Sequence, residues 1–373
     1  MRKHHIVLTA NRGYALTSSR TSLIKHFLSQ GWQVVIATAD DDEARSLCDL
    51  GAVLEPVKFN RGGLSPGADL KAYRRMQEIY QKWQPQLVQH FHAKPVILGS
   101  LAARKVLKDQ VKIINVITGL GHVFIKGGPT SYLAGIGYRL ALLPSDVVVF
   151  QNQDDQKLFL DKGWATEART KFIASSGVNT TYFHAEVERD NEESPVIVML
   201  GRLIAQKGTG EFAQVAGKIR ERWPSARFLW AGEEDKIHPD TISADWLRAQ
   251  EGVEYLGRLS DVKQILAEAD LLLFPSYREG LPRTVLEAAA MELPTVGFDV
   301  PGVREAVRDG STGYLVPFQD VEAMAGSVAT LLDDASLRRK MGKAARNMVE
   351  IEFDSHIIEE KYFQVYRELG FDI

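Results

Sequence analysis

Short apolar runs alternate along this chain with longer segments of helical period. In the first half the runs fall at 6–10, 33–39, 87–92, 112–118, 147–151 and 172–175. In the second half they fall at 196–200, 227–231, 253–256, 271–275, 294–298 and 314–316. Runs this short and this apolar predict strands buried on both faces, as in parallel sheets. Between them, segments such as 70–84 and 97–108 carry the three-to-four spacing of amphipathic helices, and the alanine-rich 284–290 reads as a further helix. Strands separated by helices predict right-handed βαβ units, hence an α/β fold of doubly wound parallel sheets. The last helix, 356–369, places Ile357, Ile358, Tyr362, Val365 and Leu369 on one side.

Length turns this pattern into two domains, since 373 residues are about twice the usual domain size. The acidic stretch 186–195 separates the two strand series, which predicts domains at 1–185 and 195–355, with a C-terminal helix, 356–373, that could return to the first. Ligands of such sheets sit at the carboxyl ends of the strands, so a cleft between two facing sheets is the expected site. Composition is ordinary for a globular enzyme, at 45% hydrophobic and 25% charged. The single cysteine, Cys48, excludes an intrachain disulfide framework and a cysteine-rich zinc site. No apolar run reaches the roughly 18 residues of a membrane span and no signal-peptide pattern occurs, so a cytoplasmic protein is expected.

The net charge of −3 hides an asymmetry: residues 1–180 carry 23 Lys and Arg against 14 Asp and Glu, or +9, which leaves −12 for the rest. Either the halves are two independently solvated surfaces, or the basic half meets an anion such as a diphosphate or an acidic membrane surface. Nucleic acid is not expected, because the cations are scattered.

The chemistry concentrates after the 271–275 strand, in Arg278-Glu279-Gly280-Leu281-Pro282-Arg283-Thr284-Val285-Leu286-Glu287. A helix N-terminus favours anions, and two carboxylates beside it suit hydroxyls, a pairing that points to a nucleotide-sugar. Glu287 sits among Leu286, Ala288, Ala289 and Ala290, where an unpaired carboxylate would be costly and ligand hydroxyls would be good partners. After the 196–200 strand, Gly201-Arg202-Leu203-Ile204-Ala205-Gln206-Lys207-Gly208 supplies a bidentate fork and a mobile point charge, together suited to a diphosphate.

In the first half, His122 follows the 112–118 strand within Gly119-Leu120-Gly121-His122 and is a candidate to touch substrate. The loop Asn11-Arg12-Gly13 either delivers Gly13 and Arg12 to a phosphate or is a tight turn, and Arg61 lies in a glycine-rich loop suited to an acceptor. His90 and His92 alternate on one strand, too few ligands for a metal without a third, and 40–43 reads as an acidic helix start. A dinucleotide fingerprint, a Gly-x-Ser-x-Gly elbow and a Walker loop are all absent.

Gly201-Arg202-Leu203-x3-Lys207-Gly208 and Glu279-Gly280-Leu281-Pro282-x4-Glu287 resemble the donor-site motifs of retaining glycosyltransferase family 4, and Ser175-Ser176-Gly177-Val178-Asn179-x3-Phe183 and Pro301-Gly302-x2-Glu305 fit the same family. The segments 61–66, 94–100 and 117–124 look like bacterial members that act on undecaprenyl-diphosphate-linked sugars, whose relatives transfer N-acetylgalactosamine. One departure is Asn11-Arg12-Gly13, where many members carry a Gly-Gly pair.

The resemblance implies the GT-B fold, two Rossmann-like doubly wound domains facing a cleft. It implies a UDP-sugar donor, no cofactor, no metal, and front-face attack in which the leaving phosphate takes the acceptor's proton. Arg202 and Lys207 would bind the diphosphate and Glu287 the ribose. Glu279 with the Gly280 and Leu281 amides would hold the sugar, with Gly13 also at the donor and Glu279, His122 and Lys207 as catalytic groups. Arg61 and Lys94 would meet a lipid-linked saccharide at the inner face of the cytoplasmic membrane. Segment 124–143, rich in Gly, Leu, Ile and Tyr, would then lie in the interface or form a buried helix. Two rivals are a sugar-nucleotide epimerase or hydrolase on the same architecture and a non-catalytic nucleotide-sugar-binding protein.

Overall fold

A computed structural model describes residues 4–60, 63, 65–120, 124, 128–186, 194–236 and 238–373. The first sheet contains β1 (His5–Thr9), β2 (Gln33–Thr38), β3 (Val53–Pro56), β4 (Leu87–Phe91), β5 (Lys112–Ile117), β6 (Val147–Phe150) and β7 (Thr170–Phe172), in the order β3-β2-β1-β4-β5-β6-β7. The second contains β8 (Val196–Leu200), β9 (Arg227–Ala231), β10 (Val253–Gly257), β11 (Leu271–Phe274), β12 (Thr295–Phe298) and β13 (Gly313–Val316), in the order β10-β9-β8-β11-β12-β13. The pairings between these strands are parallel. Both orders start from the first strand of the sheet, build outward to one side, then return and build to the other, which is the doubly wound arrangement expected.

Alternation along each strand explains why both faces need helices. Ile6 and Leu8 of β1 with Val34 and Ile36 of β2 enter one apolar cluster, while Val7, Val35 and Ala37 enter the cluster on the opposite face. The C-terminal helix, Ser355–Glu368, covers the first of these faces with Ile358, Tyr362, Val365 and Tyr366. That spacing is one helical stripe. The chain groups into Met1–Ser176 with Ile358–Ile373, and Gly177–Ile357. Residues from Gly177 onward join the second unit because Val178 N–H donates to Phe353 O at 2.9 Å and Arg346 Nη2 donates to Thr180 O at 3.0 Å.

Strand β3 went unread in the sequence. It is a short edge strand broken by Pro56, and its buried Glu55 is acceptable only through partners distant in sequence. Lys82 Nζ and Arg75 Nη2 each reach that carboxylate at 2.6 Å, with Trp83 Nε1 at 2.8 Å. Strand β7 runs from Thr170 to Phe172 rather than from 172 to 175, and Ile173, buried like Ala174, still donates its N–H to Phe150 O of β6 at 3.0 Å. His92 lies beyond the end of β4 with φ 72°, so it does not share a strand face with His90.

Candidate functional site

In the second sheet the winding reverses between β8 and β11, which pair directly. Such a switch point leaves the loops at the carboxyl ends of two neighbouring strands splayed apart, where a ligand can enter. The loop after β8 is pinned to its neighbour by Gly201 N–H donating to Ala231 O and Leu203 N–H to Glu233 O, each at 2.9 Å. The turn Ala205–Lys207 ends at Gly208, with φ 74°, where the Thr209–Arg220 helix begins. A Cβ on Gly208 would stand 2.1 Å from Pro275 O, so only glycine lets this loop pack on the residue after β11.

That close approach delivers Lys207 to the β11 loop. Its ammonium lies over the Phe274 ring, 5.8 Å from the centroid, and pairs with Glu279 Oε1. The same oxygen accepts from the hydroxyl of fully buried Ser276. Glu279 N–H in turn donates to Pro301 O at 3.0 Å, and Gly302 N–H to Glu305 Oε2 at 2.9 Å. The loops after β8, β11 and β12 therefore form one connected rim.

Two further ion pairs complete it. Arg202 Nη1 meets Asp235 Oδ2 at 2.6 Å, with the Asp235 side chain only 3% exposed. Arg283 Nη2 meets Glu287 Oε1 at 2.8 Å, one turn apart on the Arg283–Ala290 helix. Burial pushes the Glu287 carboxyl above its ordinary value, and the Arg283 guanidinium works against that shift. This corrects the sequence argument: Glu287 is not an unpaired carboxylate awaiting hydroxyls, because Arg283 already supplies a charge-assisted partner. Gly280 and buried Leu281 lead into this helix, whose N-cap, Pro282, has no side chain able to accept from the first turn.

Chemically, the rim holds cations able to bind phosphate oxygens and carboxylates able to accept from hydroxyls, each compensated by its neighbour. A ligand carrying both an anion and hydroxyls can exchange for these internal partners without leaving a charge bare. Sequence reasoning found Arg202, Lys207, Glu279 and Glu287 but missed Asp235, Ser276 and Arg283. Arg283 was legible as the i−4 neighbour of Glu287 on a predicted helix. Asp235 had a weaker signal, an acidic trio at the carboxyl end of the 227–231 strand.

The first sheet reverses between β1 and β4. After β1, Gly13 N–H donates to Asp41 Oδ2 at 3.0 Å, and a Cβ there would stand 2.3 Å from Ala44 N. The amide offered to a phosphate is thus taken by the residue that caps the Asp42–Cys48 helix, which is the tight-turn alternative. After β4, Lys94 pairs with Asp69 at 2.5 Å, and Asp69 Oδ2 also accepts from Ser65 N–H at 3.3 Å. Lys94 is thereby tied, through Asp69, to Ser65 at the start of the Pro66–Trp83 helix. Arg61 itself and His122 lie outside the described residues.

His90 is buried between Tyr80 OH, 2.7 Å from Nε2, and Asn115 Oδ1, 2.8 Å from Nδ1. Burial lowers its pKa from 6.5 to about 4, against the opposing pull of Asn115. It is a neutral core group. Among the described residues, no three His, Cys, Asp or Glu side chains are grouped to hold a metal ion.

Two family models match the chain: "Glycosyl transferases group 1" over residues 182–348 and "Glycosyl transferase 4-like" over residues 5–152. The chain is 26% identical to the N,N'-diacetylbacillosaminyl-diphospho-undecaprenol alpha-1,3-N-acetylgalactosaminyltransferase of Campylobacter jejuni, covering 96% of each. It is 25% identical to the capsular polysaccharide biosynthesis glycosyltransferase CapM of Staphylococcus aureus, covering 92% of each. Among solved structures it is similar to sucrose-phosphate synthase of Thermosynechococcus elongatus, with TM-score 0.79 and 19% identity over 98% of this chain and 99% of that one. It is also similar to HepE of Anabaena in complex with UDP and glucose, with TM-score 0.76 and 17% identity over 98% of this chain and 100% of that one. These neighbours share the GT-B architecture of two parallel-sheet domains.

Proposed function

We propose that this chain, which belongs to the group 1 glycosyl transferases, moves an N-acetylhexosamine or hexose from a UDP-sugar to a saccharide carried on undecaprenyl diphosphate. The product would enter a bacterial surface glycan, and the work would be done at the inner face of the cytoplasmic membrane. The single observation that carries the reading is the Lys207–Glu279 pair joining the carboxyl ends of β8 and β11, held by Ser276. The Campylobacter relative, whose name states an N-acetylgalactosamine transfer to a diphospho-undecaprenol, supports the choice of sugar and carrier. The UDP seen in HepE supports the choice of nucleotide.

In this reading the diphosphate replaces the internal partners of Arg202 and Lys207. Glu279 then accepts from sugar hydroxyls beside the Gly280 and Leu281 amides, and Glu287 from the ribose. His122 approaches the sugar, and Arg61 and Lys94 serve the acceptor. The anomeric configuration is retained by front-face attack, the leaving phosphate takes the acceptor's proton, and neither metal nor cofactor takes part. Rate enhancement then rests on stabilising charge that develops on the departing diphosphate.

Thermal unfolding with UDP, GDP, ADP and NAD in turn tests the donor site. A ligand at about 100 times its dissociation constant adds about 2.7 kcal/mol, a shift of several degrees. The expected result is a shift with UDP that disappears in Arg202→Ala. A shift with NAD, or with none of the four, overturns the reading.

A further inference from the structure

Arg20 enters the core of the first unit with no carboxylate to meet it among the described residues. It stands at the start of the Thr21–Ser29 helix and is 4% exposed. Its guanidinium lies over two rings, with Cζ 4.8 Å from the Phe91 centroid and 4.7 Å from that of Tyr362. Of its N–H donors, Nη2 reaches the Tyr362 hydroxyl at 3.2 Å, while Nε is buried and meets no acceptor among the described residues. Glu359, three residues before Tyr362 on the C-terminal helix, accepts from the Ser22 hydroxyl instead. A buried arginine is ordinarily paired. Two ring faces offset only part of the cost of taking a guanidinium out of water.

The polar groups around Arg20 are donors too. Gln89 shares one face of β4 with Phe91 and is fully buried. Its Oε1 accepts from the Tyr366 hydroxyl at 2.5 Å, but its Nε2 meets no acceptor among the described residues. Tyr362 and Tyr366 lie one turn apart on the Ser355–Glu368 helix, which sets Arg20 and Gln89 side by side beneath it. The Tyr362 hydroxyl, having accepted from Arg20, keeps its own proton to give. Neither phenol supplies the missing negative charge. Burial raises both above the ordinary tyrosine value, and the Arg20 cation only partly opposes that rise. One formal cation, three spare donors and no spare acceptor are complementary to an anion.

We infer that Arg20 Nε, Gln89 Nε2 and the Tyr362 hydroxyl hold a small monovalent anion of the halide class, which fastens the C-terminal helix to the first sheet. One cation calls for one negative charge, and the burial of Arg20 and Gln89 leaves no room for an ion as large as phosphate. Thermal unfolding of the full chain, without nucleotide, is followed at fixed ionic strength as sodium gluconate is exchanged for sodium chloride. A ligand that binds only the folded chain adds stability with the logarithm of its concentration. At about 100 times its dissociation constant, chloride should raise Tm by several degrees, and bromide should do the same. Arg20→Met should abolish the response. Gln89→Glu puts a carboxylate beside Arg20 and keeps an acceptor for Tyr366, so it tests the same point without deleting the cation. Its Tm should exceed the parent's in gluconate and stay constant as chloride is added. A parent Tm that ignores chloride overturns the inference. So does a chloride response that survives in Gln89→Glu, because the ion then binds elsewhere. A Gln89→Glu chain no more stable than the parent in gluconate also overturns it, since Arg20 then needs no counter-charge.

Discussion

The two sheets share one winding order and differ in what their switch points hold. In the second, Arg202–Asp235, Lys207–Glu279 and Arg283–Glu287 place formal charges at the strand ends. In the first, the groups beneath the switch are neutral and sunk into the core, His90 with Tyr80, Asn115 and Ser100, and Gln89 with Tyr366, while the Lys94–Asp69 ion pair lies beyond the end of β4. Asn115 Nδ2 donates to Ser100 Oγ at 2.8 Å and to Ser145 Oγ at 2.6 Å, so that network is closed on itself. Topology thus makes a crevice available in both, but side-chain chemistry decides its use. Charges that are paired yet partly exposed can trade partners with a ligand, whereas a buried neutral network would pay its full desolvation penalty to open.

The sharpest way to break this contrast is Lys207→Ala. Losing one transition-state donor should lower turnover by about 10²–10³-fold. Sugar transfer to a lipid-linked acceptor measures it, and near-normal turnover would remove the functional half of the comparison. A smaller effect is expected from His90, on stability alone. Folding holds its pKa at about 4 instead of 6.5, so the unfolded chain binds more protons in that interval and stability falls as pH drops through it. Between pH 7.5 and 5 this one group should cost about 2 kcal/mol. Urea midpoints at both pH values should show that component vanishing in His90→Gln, and an unchanged pH dependence would mean His90 is solvated. The smallest effect belongs to Tyr366→Phe, which strands the Gln89 carbonyl oxygen that the phenol now serves at 2.5 Å. A loss of about 1–2 kcal/mol is expected, with the UDP shift intact. A weakened UDP shift there would show that the two units do not divide structural and ligand-binding work as described.

Much of this was legible beforehand because parallel strands announce themselves as apolar runs. β8 and β9 fall where the pattern put them, at Val196–Leu200 and Arg227–Ala231. Where a strand carries a buried charge, as β3 does at Glu55, the pattern fails, since the compensating Lys82, Arg75 and Trp83 come from a helix some twenty to thirty residues on. The donor motifs were legible as motifs, but apart from Arg283, the i−4 neighbour of Glu287, their partners were not. Nothing in the spacing of the Arg202 motif points to Asp235, 33 residues on, as its partner.

Local spacing by itself determined the α/β class, the two strand series and the residues able to carry phosphate and hydroxyl chemistry, because hydrophobic period and side-chain type are properties of neighbours along the chain. The tertiary structure alone decided which charges neutralise one another, that Gly13 answers to Asp41 and Ala44, and that the Ser355–Glu368 helix closes the first unit's core. Those outcomes depend on atoms brought within a few ångströms from distant parts of the sequence, where pairing and desolvation are settled only after the chain has folded.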